Sequence, residues 1–387
     1  MKLIHDEKYF EKEEILKRAK KYGFPNPLAV EIFLWDCELA TQFQEVCPKI
    51  VLRGGAATQL HLPLKIQRGS GDIDIMAPLE KHEVSELISD VSKSIGDYVR
   101  FELYKPKKPV PKLPLITYFA KMPTKLDLRK REELEIKIDI SLENISLPSV
   151  ELRDVKTFAV NVKRMRCLTV GSLIGDKLLT LAKGSIGMKD ESDYPKQIYD
   201  IDALLESTKI SEKTVNQMVT SINLLTKIEA GYRNIEITPI EALDNVIATM
   251  NKYSLIDTSG GNTGIKKNIE AFQQFFVSKN RRCPYYEWSS KALRIRFLTK
   301  LIFEYMNNNL TESKVVKLIN KSQELSSKLR KISGPLVVKL RKDLLRLAET
   351  KIPYFKEMRG KPLHRVFWQI VTPYNLEKVE SLIISLI

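Results

Sequence analysis

Hydrophobic spacing divides the chain into a mixed first part and a helical remainder. Phe10, Ile15 and Leu16 give 1–21 the modest apolar stripe of a charged helix, closed at Tyr22-Gly23. Val30, Phe33, Leu34, Cys37 and Leu39 recur near helical spacing and predict a stronger helix over 29–43, broken by Cys47-Pro48. Strand patterns follow at 50–52 and 70–76, with a short helix over 56–62 between them. Residues 80–95 read as a helix with Val84, Leu87, Ile88 and Val91 on one face. Residues 98–104, 115–122 and 133–142 read as strands. In the last, Ile136, Ile138 and Ile140 face one way and Glu135, Lys137 and Asp139 the other. Later elements are helical: 170–181, 196–205, two helices within 210–243 parted at Gly231-Tyr232-Arg233, then 266–276, 290–307, 311–331, 336–348 and a packed run at 381–387. The glycine-rich 257–264 lacks the Gly-Lys-Ser/Thr ending of a phosphate loop and reads as a linker. The proline- and lysine-rich 105–114 reads as an exposed basic loop, either near substrate phosphates or a solvated connector.

The chain is 387 residues long, enough for two or three structural units. No apolar run approaches a membrane span, and the first ten residues lack a signal-peptide core, so a cytoplasmic protein with no membrane partner is expected. Cys37, Cys47, Cys167 and Cys283 are scattered, with no C-x-x-C pair, and read as reduced thiols. Charge changes the picture most. Residues 1–250 carry 37 Lys and Arg against 37 Asp and Glu, whereas 251–387 carry 26 against 11, so the whole net charge of +15 lies in the last third. That asymmetry suits a phosphate-bearing partner, the alternative being a solvated basic face. The basic side chains there interleave with Tyr285, Tyr286, Trp288, Tyr354 and Phe355, a composition that fits RNA, although each aromatic taken singly fits a core.

Candidate chemistry gathers in 51–76, VLRGGAATQLHLPLKIQRGSGDIDIM. Asp72 and Asp74, alternating with Ile73 and Ile75, put two carboxylates on one strand face, the hard-oxygen arrangement that suits Mg²⁺ with substrate phosphates. A lone D-x-D also occurs in solvated turns. Gly54 and Gly55 let backbone N–H groups approach a phosphate at a turn before a helix. Arg68 and Ser70 stand ready for phosphate oxygens. Asp139, on another alternating strand, is the candidate third carboxylate of a two-metal site, with Glu135 as the fallback.

Gly54-Gly55-Ala56-Ala57-Thr58 followed by Arg68-Gly69-Ser70-Gly71-Asp72-Ile73-Asp74 resembles the DNA polymerase β-like nucleotidyltransferase superfamily, and more closely its AbiEii/MenT branch of toxins. In that branch the first segment is Gly-Gly-Thr-Ala-Leu, often after Lys; here Arg53 and Ala56 depart from it. Later Lys-Leu-x-Thr and Arg-Asp-x-x-Asp-Leu segments are matched by Lys177-Leu178-Leu179-Thr180 and by Lys196-Gln197-Ile198-Tyr199-Asp200-Ile201, where Gln197 replaces an aspartate for which Asp193 or Asp202 could compensate. The resemblance covers about 21–205.

It implies an α+β fold: a polymerase β-like core with a mixed sheet and helices over 1–165 and a helical domain completing the site over 166–250; beyond the resemblance, residue pattern and charge give a basic helical region over 251–387, read as RNA-binding. It further implies that Asp72, Asp74 and Asp139 bind two Mg²⁺ ions, with Mn²⁺ as the substitute. Gly54, Gly55, Arg68, Ser70, Lys177 and Lys196 would hold an NTP, and Asp200 would fix Lys177 or its helix. The implied function is a toxin that transfers NMP to an RNA acceptor, a tRNA 3′ end foremost, blocks translation, and is opposed by a separate antitoxin. Nucleotidylation of a protein hydroxyl, or non-catalytic nucleotide or RNA binding on the same fold, are the alternatives.

Overall fold

The alternation of isoleucine with charged residues in 70–76 and 133–142 builds the middle of a sheet. In the computed structural model, which describes residues 2–105, 114–128, 131–142, 146–348 and 352–385, the strands are β1 Val51–Arg53, β2 Asp72–Met76, β3 Arg100–Leu103, β4 Leu115–Leu128, β5 Arg131–Ser141, β6 Ser149–Lys156 and β7 Asn161–Leu168. They form one seven-stranded sheet in the order β3-β4-β5-β2-β1-β7-β6. β2 pairs with β5 and β1 with β7 in parallel; the other neighbours are antiparallel, so the sheet is mixed. Leu52, Ile73, Ile75, Ile136, Ile138 and Ile140 are buried. Each isoleucine so buried contributes about 1.5–3 kcal/mol over an exposed one. A one-residue slip would instead drive Asp72, Asp74 and Asp139 into the core, so burial fixes the register. Most of the anticipated basic loop, 106–113, lies outside the described residues.

The chain divides into two compact units, Met1–Leu173 with Ala271–Arg282, and Ile174–Glu270 with Cys283–Ile387. In the first, α1 (Lys12–Tyr22) ends at Gly23, whose φ of 73° makes a left-handed cap. α2 (Leu28–Val46) is nearly all buried and packs on β2, β5, β7 and α4 (Glu83–Ile95). α3 (Gly54–His61) follows β1 directly. The β6–β7 hairpin was not anticipated. β6 is a charged edge strand whose Glu151 bridges Arg153 and, across the pair, Arg164, and such a strand has no apolar alternation to announce it. The sequence-distant 271–282 also belongs to this unit: Gly69 N donates to Phe276 O at 2.8 Å, and Lys279 N to Gly23 O at 2.8 Å.

The second unit is helical. It begins within α5 (Val170–Thr180), from Ile174 on, and contains α6 (Tyr194–Ser207), α7 (Glu212–Arg233), α8 (Pro239–Tyr253), the start of α9 (Thr263–Phe276), α10 (Tyr285–Met306), α11 (Glu312–Lys331), α12 (Pro335–Leu347), α13 (Phe355–Met358), α14 (Leu363–Ile370) and α15 (Leu376–Ile384). α10 lies at its centre, packed on α6, α7, α8, α11 and α14, with Trp288, Leu293, Phe297 and Leu301 buried. Gly231-Tyr232-Arg233 is the last turn of α7 rather than a gap; the break comes at Asn234, with φ 51°. The glycine-rich 257–264 is not a linker but a pinned turn. The Asp257 carboxylate, its side chain 3% exposed, accepts from Arg365 Nη2 at 3.0 Å and Ser289 Oγ at 2.8 Å, with Lys361 Nζ at 3.2 Å. No helix among the described residues is long and apolar enough to cross a membrane.

Candidate active site

β1 hands the chain to α3 through Gly54, whose φ of 70° lies in the left-handed region that favours glycine. The glycine pair is therefore the first turn of the helix, not a turn ahead of it. Arg53 lies opposite Asp74 in the β1–β2 pairing, so the turn arrives against that carboxylate. A Cβ on Gly54 would stand 1.9 Å from Asp74 Oδ2, and one on Gly55 would meet Ser70 Oγ at 2.9 Å and Arg68 Nη2 at 3.2 Å. The two glycines thus allow Asp74, Ser70 and Arg68 to crowd the start of α3, where helix N–H groups and the helix dipole favour negative charge. Arg68 is buried and fixed: its backbone N donates to Gln59 Oε1 at 2.8 Å, its guanidinium donates to Gly69 O, and it lies 5.7 Å from the centre of the Phe272 ring. Phe272 and Phe276, which seal this corner, were not foreseen; their spacing reads only as a helix face.

The parallel β2–β5 pairing sets Asp74 beside Asp139 and Asp72 beside Lys137. Alternation turns all four toward one face. Asp139 accepts from Thr117 Oγ1 at 2.6 Å and pairs with Lys137 Nζ at 2.6 Å. Burial works against the Lys137 charge, but the Asp139 carboxylate, with Asp74 and Asp72 behind it, raises its pKa. Glu135 lies four residues down the strand, about 13 Å at ~3.3 Å per residue, and is 3.6 Å from Lys121. Register therefore sets Asp139, and not Glu135, beside Asp74.

One carboxylate escaped the sequence reading. Asp36, on α2, is fully buried, and among the described residues neither of its oxygens is hydrogen-bonded. Burial, then the charges of Asp72 and Asp74, push its pKa well above the usual range, while Ser70 and Arg68 pull the other way. The available signal was an acid inside the apolar run Phe33-Leu34-Trp35-Asp36-Cys37. A buried carboxylate without a partner is costly, and a nearby cation would offset that cost. The surrounding donors are carboxylate oxygens, the chemistry of a hard divalent ion. By that donor chemistry the residues suit a hard divalent cation. As it stands, no group of three His, Cys, Asp or Glu among the described residues is arranged to hold a metal ion, and Asp139 is turned to Lys137 and Thr117.

The remaining candidates gather in the helical unit. Lys177, on α5, is buried with its Nζ 2.8 Å from Asp200 Oδ2 on α6, and donates to Gln197 Oε1 at 3.1 Å. Gln197, which stands where the resemblance expects an aspartate, itself supplies an acceptor to the lysine. Asp193 pairs with Lys196 at 2.6 Å, and Asp202 with Lys291 and Arg294. The structure therefore forms two sets, Gly54, Gly55, Arg68, Ser70, Asp72, Asp74 and Asp139 in one unit, and Lys177, Gln197 and Asp200 in the other.

No curated protein matches the sequence. The model of one family, described as the nucleotidyl transferase AbiEii toxin of a type IV toxin–antitoxin system, matches 39–282. The match runs past the 21–205 of the motif resemblance and takes in Phe272 and Phe276, while leaving Asp36 outside. With more than half of the sequence matched, and an α+β architecture of mixed sheet followed by helices, the chain belongs to the AbiEii nucleotidyl transferase toxin family.

Proposed function

We propose that the protein transfers a nucleoside monophosphate from an NTP to an RNA acceptor, a tRNA 3′ end foremost, and thereby blocks translation. The observation that carries this reading is the β2–β5 register, which sets Asp74 beside Asp139 on the face that also bears Asp72. Asp72, Asp74 and Asp139 would hold Mg²⁺, which when bound neutralises phosphate charge and acidifies the attacking hydroxyl. Thr117 and Lys137 keep Asp139 oriented beside Asp74. Ser70, Arg68 and the start of α3 would bind phosphate oxygens, and Lys177, oriented by Asp200 and Gln197, would contribute positive charge to the triphosphate. The acceptor hydroxyl forms a bond to the α-phosphorus, and the bond to the pyrophosphate oxygen breaks. Positioning and charge neutralisation carry most of the rate.

The RNA acceptor is supported by the surplus of 26 Lys and Arg over 11 Asp and Glu in 251–387. A cognate antitoxin is the partner that a toxin–antitoxin family implies. The test is to incubate the protein with Mg²⁺, each NTP labelled at its α-phosphate, and total tRNA, beside Asp72→Ala. Label on tRNA that disappears in the variant is expected. Label on protein would move the acceptor to a protein hydroxyl. No label anywhere, with NTP still bound, would reduce the protein to a binder.

A further inference from the structure

Many cations of the last third are spent inside the helical unit. Arg330 makes a two-pronged contact with Glu287 at 2.8 and 2.7 Å, Arg294 pairs with Asp202 at 2.9 Å, and Arg365 serves Asp257. Trp288 is core. A different group faces outward. α12 and α13 border a groove of about 650 Å³, and its described lining holds four cations, Arg341, Lys342, Arg346 and Arg359, and no carboxylate. The other described lining residues are Leu345, which is buried, Phe355, which is half-buried, and Val338, which is 66% exposed. Arg346 is 67% exposed and pairs with Asp343 of the same helix at 3.3 Å. Arg341 donates to Arg359 O at 3.1 Å, while its buried Nε has no acceptor among the described residues.

We infer that this groove docks an unpaired segment of RNA, with a base stacked on Phe355 and against Val338 and Leu345, and with flanking phosphates on Arg341, Lys342, Arg346 and Arg359. Four like charges around one apolar slot repel one another and call for a polyanion with a flat apolar face, which is what a single strand presents. The volume lies within the roughly 300–1,000 Å³ typical of small-ligand pockets and so admits a nucleotide. The uneven charge of the chain extends the attraction beyond the groove, as a long polyanion requires and a short acidic peptide does not. The site lies outside the family match. The inference rests on the RNA-acceptor reading and adds where the RNA is gripped.

The test uses the full chain, a fluorescein-labelled single-stranded RNA dodecamer and total tRNA, with binding followed by fluorescence anisotropy at several salt concentrations. Phe355→Ala should weaken binding about tenfold, and Phe355→Trp should retain it. Arg341→Gln, Arg346→Gln and Arg359→Gln together should lower the slope of log affinity against log salt by about 2, at ~0.7 per phosphate contact. Lys356→Ala, on the same short helix but not lining the groove, should have a smaller effect. Photo-crosslinking of 5-iodouridine RNA to the unaltered protein should map to the peptide containing Phe355, independently of any variant's folding. If the wild type binds RNA but the groove variants and the crosslink do not report on it, the groove assignment falls and the RNA reading stands. If the wild type binds no RNA, both fall. An acidic amphipathic peptide that binds in a Phe355-dependent way, with RNA binding unaffected, would overturn the assignment in favour of a protein partner.

Discussion

Gly54→Ala tests whether the glycine pair exists to bring backbone against Asp74. Two effects add. The left-handed backbone, φ 70°, costs a residue with a Cβ about 1–2 kcal/mol. The new methyl would also stand 1.9, 2.8 and 3.0 Å from Asp74 Oδ2, Cγ and Cβ. A contact with the Cβ cannot be relieved by turning the end of the side chain, so Asp74 must move as a whole. Gly23→Ala supplies the control: its φ is 73°, but its nearest new contact is 3.9 Å, so it carries the backbone cost alone. Gly23→Ala should lose roughly 2–8 °C in melting temperature, at ~2–4 °C per kcal/mol for a unit of this size, and Gly54→Ala should lose more. Label transfer should separate them. Gly23→Ala should remain active, whereas moving a catalytic group by about 1 Å costs on the order of 100-fold. Equal transfer rates in the two folded variants would refute the reasoning, because Asp74 would then not need its present place.

Three other outcomes follow from buried charge. Asp36 has a folded pKa raised above its unfolded value, so its contribution to stability is full below the unfolded pKa and is lost as pH rises toward the folded one. Asp36→Asn should abolish that loss; in denaturant titrations the variant should gain on the wild type by about 1.4 kcal/mol per pH unit above pH ~4, and parallel curves would contradict the assignment. Asp200→Ala leaves Lys177 buried without its carboxylate and should cost about 3–5 kcal/mol, whereas Lys177→Met with Asp200→Leu should regain most of that stability and remain inactive; a double variant as unstable as the single would show that more than this pair is lost. Arg365→Met strips Asp257 of its guanidinium and should also cost about 3–5 kcal/mol on melting; a loss below about 1 kcal/mol would mean that the turn at 257–264 is held by Ser289 and Lys361.

Periodicity alone was enough for the helices at 29–43, 170–181, 196–205, 311–331 and 336–348 and for the isoleucine strands, because each buries one face and the burial is written at a repeat of 3.6 or 2. The same repeat places Asp72 with Asp74, and Lys137 with Asp139, from sequence alone. It could not place Asp74 beside Asp139, since strand order and parallel pairing are made by contacts far apart in the chain. The β6–β7 hairpin was illegible because a solvated edge strand has no apolar rhythm. Asp36 was illegible because an acid inside an apolar helix declares nothing about which neighbours share its burial. The 257–264 turn looked like a linker because glycine density reports local freedom, while the hold comes from Arg365, more than a hundred residues away. Composition likewise counted every cation in the last third. Tertiary structure alone divided them, binding Arg330 to Glu287 of another helix and leaving Arg346 67% exposed beside Asp343 of its own helix, because a charge is neutralised most where a partner of opposite sign is packed against it away from water.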